Sequence, residues 1–140
     1  MGMKSTHLGA VVGRLATIVS KIIRGKIKQL LLRIWDSGDF VVVKNVDQIR
    51  FTGNKYQNKK YYRHTGYPGG IKETTPEKLS HNKPGEVLKL AVKRMLPGGS
   101  LAKKQLSKLK IYSGEDHPHS AQNPESIDVL KLNKKNIIRT

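Results

Sequence analysis

The sequence predicts an α/β fold, and three observations carry that expectation. Between Val11 and Arg24 the apolar residues Leu15, Ile18, Val19, Ile22 and Ile23 recur at the three-and-four spacing of one helix face. Phe40-Val41-Val42-Val43 is a continuous apolar, β-branched run, which suits a strand buried on both faces, as in a parallel sheet. Beyond Pro84, the residues Val87, Leu88, Ala91, Val92 and Met95 form a second helical stripe. Helices alternating with strands favour a layered α/β architecture.

Taken in order, the first helix ends near Lys21 and Arg24, where cations suit the helix dipole, and Gly25 is a natural terminator. Lys26 to Trp35 is basic and then apolar, and its pattern fits neither period. Asp36-Ser37-Gly38-Asp39 has turn composition before the valine strand. Ile49 to Thr52 is expected as a second short strand, and Lys59 to Thr65 as an extended segment beyond a polar loop opened by Gly53-Asn54-Lys55. Gly66-Tyr67-Pro68-Gly69-Gly70 must turn, because its glycines and proline exclude regular structure. A helix follows, started either by Thr74 with Glu77 as a capping box or by Thr75 with Pro76 in the first turn. Pro84 opens the next helix, Pro97-Gly98-Gly99 closes it, and Ser100 caps a short basic helix through Ser107. Leu109 to Tyr112 reads as a last strand, and from Ser113 the chain reads as loop with a basic tail.

At 140 residues the chain suits one compact domain, with aliphatic residues filling a modest core. Its charge is the dominant compositional fact: 27 Lys plus Arg against 10 Asp plus Glu, formally +17. The isoelectric point is near 10.2. A free domain carrying that excess repels itself unless a polyanion neutralises it, and nucleic acid is the first candidate. An anionic membrane is the second. No apolar run approaches the ~20 residues of a spanning helix, no secretory signal is expected from Met1 to His7, and the charge is spread along the chain and not along one face. The absence of cysteine excludes disulfides, thiolate metal sites and cysteine nucleophiles.

Four features could carry chemistry. The first is a distributed phosphate-binding surface of Arg14, Arg24, Lys26, Lys28, Lys55, Lys59, Lys60, Arg63, Lys72, Lys93, Arg94, Lys103, Lys104, Lys108 and Lys110. Arginine forks onto phosphate and lysine acts as a point charge. Any one of these lysines can equally serve solubility, so the expectation belongs to the set. The second is the stretch from Tyr61 through Arg63, His64, Thr65, Gly66, Tyr67, Gly69 and Gly70, which combines rings, cations, a hydroxyl and bare backbone. Its rings either stack on unpaired bases or pack in the core, and its glycines let N–H groups approach phosphate. The third is His117-Pro118-His119 after Glu115-Asp116, read as an RNA-contacting loop with Gln122 in preference to a metal site, since no further well-spaced ligand follows. The fourth is the aspartate set Asp36, Asp39 and Asp47, which suggests a metal-dependent nuclease; Asp36 and Asp39 are read as turn residues bonding their own backbone.

Ordered blocks then point to a family. Gly13-Arg14-Leu15-Ala16, Arg24-Gly25-Lys26, Asp36-Ser37-Gly38-Asp39-Phe40 and Thr52-Gly53-Asn54-Lys55 come first. Tyr62-Arg63-His64-Thr65-Gly66-Tyr67-Pro68-Gly69-Gly70, Met95-Leu96-Pro97, Lys108 through Gly114 and His117 through Pro124 follow. Together they resemble the L-thirteen family of large-subunit ribosomal proteins, in its bacterial and organellar form, from about Leu8 to Asp128. The resemblance implies a three-layer α/β/α fold around a mainly parallel four-stranded sheet, binding to large-subunit ribosomal RNA beside neighbouring ribosomal proteins, a role in subunit assembly and translation, and neither cofactor nor catalysis. It places the protein on a ribosome of the bacterial cytoplasm or an organelle matrix such as the mitochondrion, as a monomer there. The chain departs from the family pattern in three places. Met1 to Thr6 stands where an apolar first strand is usual, so that strand is expected to be missing, shortened or replaced. Arg33-Ile34-Trp35 differs from the usual stretch. Residues 1–128 are expected to form the α/β domain and 129–140 a basic extension. An RNA-binding regulator outside the ribosome is the alternative function.

Overall fold

The computed structural model describes residues 3–6, 10–26 and 36–129. Its centre is a four-stranded sheet of β1 (Met3–Thr6), β2 (Phe40–Val43), β5 (Leu109–Ile111) and β6 (Glu125–Ile127), in the order β5-β2-β1-β6. Every pairing is parallel. Of the alternatives for the first strand only its loss is excluded: β1 is present as four residues and occupies an interior position, with Met3 to Thr6 in register with Phe40 to Val43. The loop expected from Ser113 is corrected as well, since β6 pairs with β1 from Lys4↔Glu125 to Thr6↔Ile127.

Helix α1 (Val12–Ile23) lies against β2 and packs on α4 (Glu86–Met95). The stripe read from the sequence is its inner face, and Leu15, Val19, Ile22 and Ile23 are buried. They meet Val41, Val43 and Leu109 from the sheet and Leu88 and Val92 from α4 in one core. Val42, one residue out of phase, lies outside that cluster yet is 0% exposed, so β2 is covered on both faces, as its β-branched run predicted. The core reaches Val129, one residue into the stretch expected as an extension. The segment Lys26 to Trp35, which fits neither period, lies largely outside the described residues, as does the basic tail beyond Val129.

Asp36 to Asp39 does not form the expected turn; it runs beneath the end of α1, where the Asp39 N–H donates to the Ile22 carbonyl at 3.4 Å. Gly38 is a contact glycine there, since a methyl group on it would overlap the Ile23 carbonyl. Gly25, at φ +72°, terminates α1 and lies against Ser37. The expected strand over Ile49 to Thr52 reduces to one parallel bridge, Val11↔Arg50, before Gly53 turns the chain into α2 (Lys55–Asn58). An antiparallel hairpin follows, β3 (Tyr61–His64) with β4 (Ile71–Thr74), forming a second sheet. Thr75 and Pro76 start α3 (Pro76–Asn82), so the second of the two proposed starts is the one used. Gly85 and not Pro84 precedes α4, because Gly85 takes φ +88° beneath Ile111. Gly99, at φ +101°, precedes α5 (Ser100–Ser107), which places Ser100 inside the helix and not at its cap.

Candidate nucleic-acid interface

Six cations from the first half of the chain, Arg14, Lys21, Arg24, Lys26, Lys55 and Lys59, gather along the outer side of α1. With Leu15, Ile18, Val19 and Ile22 turned inward, Arg14, Thr17, Lys21 and Arg24 form the opposite stripe at a spacing of three or four residues. Where α1 begins, Arg14 lines a cavity of about 480 Å³ together with Lys55 and Lys59 from α2 and its end and Arg94 from α4. Tyr61 closes the floor at 8% exposed. Its ring is occupied by cations, with Lys59 Nζ 5.1 Å and the Arg94 guanidinium carbon 5.5 Å from the centroid. Such contacts contribute about 0.5–2 kcal/mol each and hold both side chains at the cavity wall. Tyr61 is thus the core ring of the two tyrosines considered, while Tyr62 is 60% exposed.

Two further hollows adjoin this cavity. One is lined by Asn54, Asn58 and the same Lys55 and Lys59. The other is lined by Lys21, Arg24 and Lys26, and shares Thr17 and Met95 with the first. Lys21 is a participant that motif reading passed over; its signal was the spacing from Arg14.

The hairpin presents a second basic surface. Strand alternation places Tyr61, Arg63, Lys72 and Thr74 on one face and Tyr62, His64, Ile71 and Glu73 on the other. Arg63 and Lys72 are direct cross-strand partners, and among the described residues neither has a carboxylate within ion-pair distance. Like charges placed so repel, which favours an external anion between or beside them. The hairpin tip is ordered by its own backbone: the Thr65 N–H donates to the Gly70 carbonyl at 2.8 Å, and the Gly66 N–H to His64 Nδ1 at 2.9 Å. Gly66 and Gly69 take φ +93° and +70°, conformations that only glycine adopts freely. The result is a tip carrying Tyr67 at 75% exposed. Lys60 is exposed but ion-paired, its Nζ 2.8 Å from Glu73, and that hydrogen bond with the attraction to Glu73 raises its pKa above the ordinary 10.5.

The other expected contacts are dispersed. Lys93 on α4, Lys103 and Lys104 on α5, and Lys110 on β5 are exposed, as is Gln122. His117 and His119 are half-buried around Tyr112, whose hydroxyl lies 2.8 Å from His119 Nε2. Lys28 lies outside the described residues. Lys108 is a correction. It is 5% exposed, donates to the Gly38 carbonyl at 2.8 Å and lies 2.7 Å from Asp36 Oδ1, so it cannot serve a surface ligand. The same contact corrects Asp36, whose carboxylate faces an ammonium from across the fold and not its own turn.

The sequence model of the family described as ribosomal protein L13 matches residues 7–118 of the chain. The chain belongs to the ribosomal protein L13 family. Curated relatives agree over a longer span. The "Large ribosomal subunit protein uL13" of Chelativorans sp. (strain BNC1) is 52% identical over 129 residues, covering 91% of this chain and 84% of the relative. Those of Neorickettsia sennetsu and Agrobacterium fabrum are 53% and 49% identical, covering 91% and 92% of the chain and 84% of each relative. The ribosomal protein L13 blocks quoted from the sequence fall on the structural features above. Gly13-Arg14 opens the α1 groove, Gly25 and Gly38 make the contact between α1 and β2, and Tyr62 through Gly70 is the hairpin and its tip.

Proposed function

We propose that the protein is a structural constituent of the large ribosomal subunit that binds large-subunit ribosomal RNA beside neighbouring ribosomal proteins, and so supports subunit assembly and translation. The observation that carries this is the pairing of family membership with cations that the fold leaves facing outward, Arg63 opposite Lys72 above all. The +17 charge requires a polyanion of matching extent, and folded RNA supplies one. Contacts of this kind release counterions, so affinity is a steep function of salt.

The test is binding of the purified chain to a large-subunit RNA fragment across a salt series, with sedimentation of cell extract alongside. Affinity is expected to fall by roughly 10³ or more between 50 and 200 mM salt if six or more phosphates are neutralised. The chain is expected to travel with the large subunit. A salt-insensitive complex, or a chain sedimenting apart from the subunit, overturns the reading.

A further inference from the structure

We propose that the three adjoining hollows along α1 form one continuous track for an RNA phosphodiester backbone, read without regard to base sequence. The inference rests on the RNA-binding function proposed above and goes further by assigning one strand path to one groove.

Continuity comes from shared walls. Lys55 and Lys59 border both the first and second hollows, and Thr17 with Met95 borders both the first and third. The track follows α1, whose twelve residues span roughly 18 Å at 1.5 Å per residue. Cations stand along all of it: Lys55 and Lys59 at one end, Arg14 and Arg94 in the middle, then Lys21, Arg24 and Lys26. Among the described residues, no Asp or Glu lines any of the three hollows. By contrast, the hollow beside Phe51 and Tyr56 carries Asp47 with Arg50.

The selectivity follows from what the walls lack. Base recognition on single strands uses exposed aromatic faces. The groove's rings are Phe51, half-buried, and Tyr61, which is buried and already covered by Lys59 and Arg94. Of the exposed rings, Tyr62 and Tyr67 belong to the hairpin, and Tyr56 packs against Phe51 and lines the hollow with Asp47 and Arg50, outside the track. Cations without a free stacking surface fix a strand's position and carry no base information.

The experiment compares three full-length variants with the native chain on a large-subunit RNA fragment and on an unrelated single-stranded RNA of equal length. The groove variant is Arg14→Gln, Arg24→Gln, Lys59→Gln. The charge-retaining variant is Arg14→Lys, Arg24→Lys, Lys59→Arg. The control variant is Lys78→Gln, Lys83→Gln, Lys89→Gln, three exposed lysines outside the groove. With ~0.7 counterions released per single-strand phosphate, the groove variant is expected to flatten the log–log salt slope by about 2 and to lose roughly 100-fold in affinity at 100 mM salt. The loss should be equal on both RNAs and largely restored by the charge-retaining variant. Phosphate-ethylation interference on the ribosomal fragment should lose one contiguous run of positions in the groove variant alone. An equal loss in the control, a scattered interference pattern, or a loss confined to the ribosomal fragment overturns the track while leaving RNA binding intact. Failure of the native chain to bind either RNA overturns both. Thermal melts that match the native chain show that the groove variant folds, and the charge-retaining variant decides the matter if they do not.

Discussion

Lys108 and Asp36 meet at 2.7 Å beneath the sheet edge, with 6% and 22% of their side chains exposed. The ammonium also donates to the Gly38 carbonyl and lies 5.8 Å from the Phe40 ring centroid. The contact with Oδ1 lies off the hydrogen-bonding direction, so it acts through charge. One lysine thereby ties the entry of β2 to the entry of β5. Removing one member of a buried pair costs more than removing both, because the survivor is left charged and uncompensated. Lys108→Met is expected to destabilise the chain by about 3 kcal/mol. Lys108→Met combined with Asp36→Leu should recover a large part of that loss. Urea midpoints on the two variants check this, and an additive pair of losses would refute the coupling.

Gly38→Ala tests the seam between α1 and β2. The added methyl overlaps the Ile23 carbonyl, and backbone on both sides leaves no side chain to yield. The expected cost is about 2–3 kcal/mol, the upper part of the ~1–3 kcal/mol typical of overpacking. Gly13→Ala, with nothing near the new methyl, should cost little by comparison. Denaturant midpoints of the two alanine variants should therefore separate clearly.

Arg63→Glu should move stability and function in opposite directions. Glutamate opposite Lys72 replaces repulsion with attraction across the strands, a gain of roughly 0.2–1 kcal/mol for the free protein. The same change removes a cation from the hairpin face, so RNA affinity should fall. A melt paired with an RNA titration reads both signs, and a loss of both stability and affinity would argue against a ligand-facing role for the pair.

The Lys60–Glu73 contact makes a prediction in alkali. Because Glu73 raises the Lys60 pKa, the folded state holds that proton more tightly than the unfolded state. The contribution is complete below the ordinary lysine value of 10.5 and is lost as pH rises through the higher folded value. Titration of the Lys60 side chain by NMR should give a midpoint above 10.5, returning toward it in Glu73→Gln.

Much of the helical frame was legible because α1 and α4 repeat apolar residues for long enough to show a period. β2 was legible because four apolar residues in a row fit little else in that setting. The partners of β1 were not. Met3 to Thr6 and Glu125 to Ile127 are short and mostly polar, and their pairing depends on backbone hydrogen bonding across the sheet, which leaves no side-chain pattern. β4, Ile-Lys-Glu-Thr, is largely exposed and equally silent. Among the site residues, Lys108 reads like Lys104 or Lys110 in sequence, and only tertiary burial separates it from them. The groove needed three helices to be placed before Arg14, Lys59 and Arg94 could be seen together.

The pairing of β1 with β6 sets an order on synthesis. β1 waits beside β2 until translation has passed residue 127, since its second neighbour is Glu125–Ile127. Contacts of such long sequence separation form slowly and leave a strand edge open in the meantime. A nascent chain is thus committed to helices α1 and α4 well before its central sheet is complete, and β6 acts as the latch.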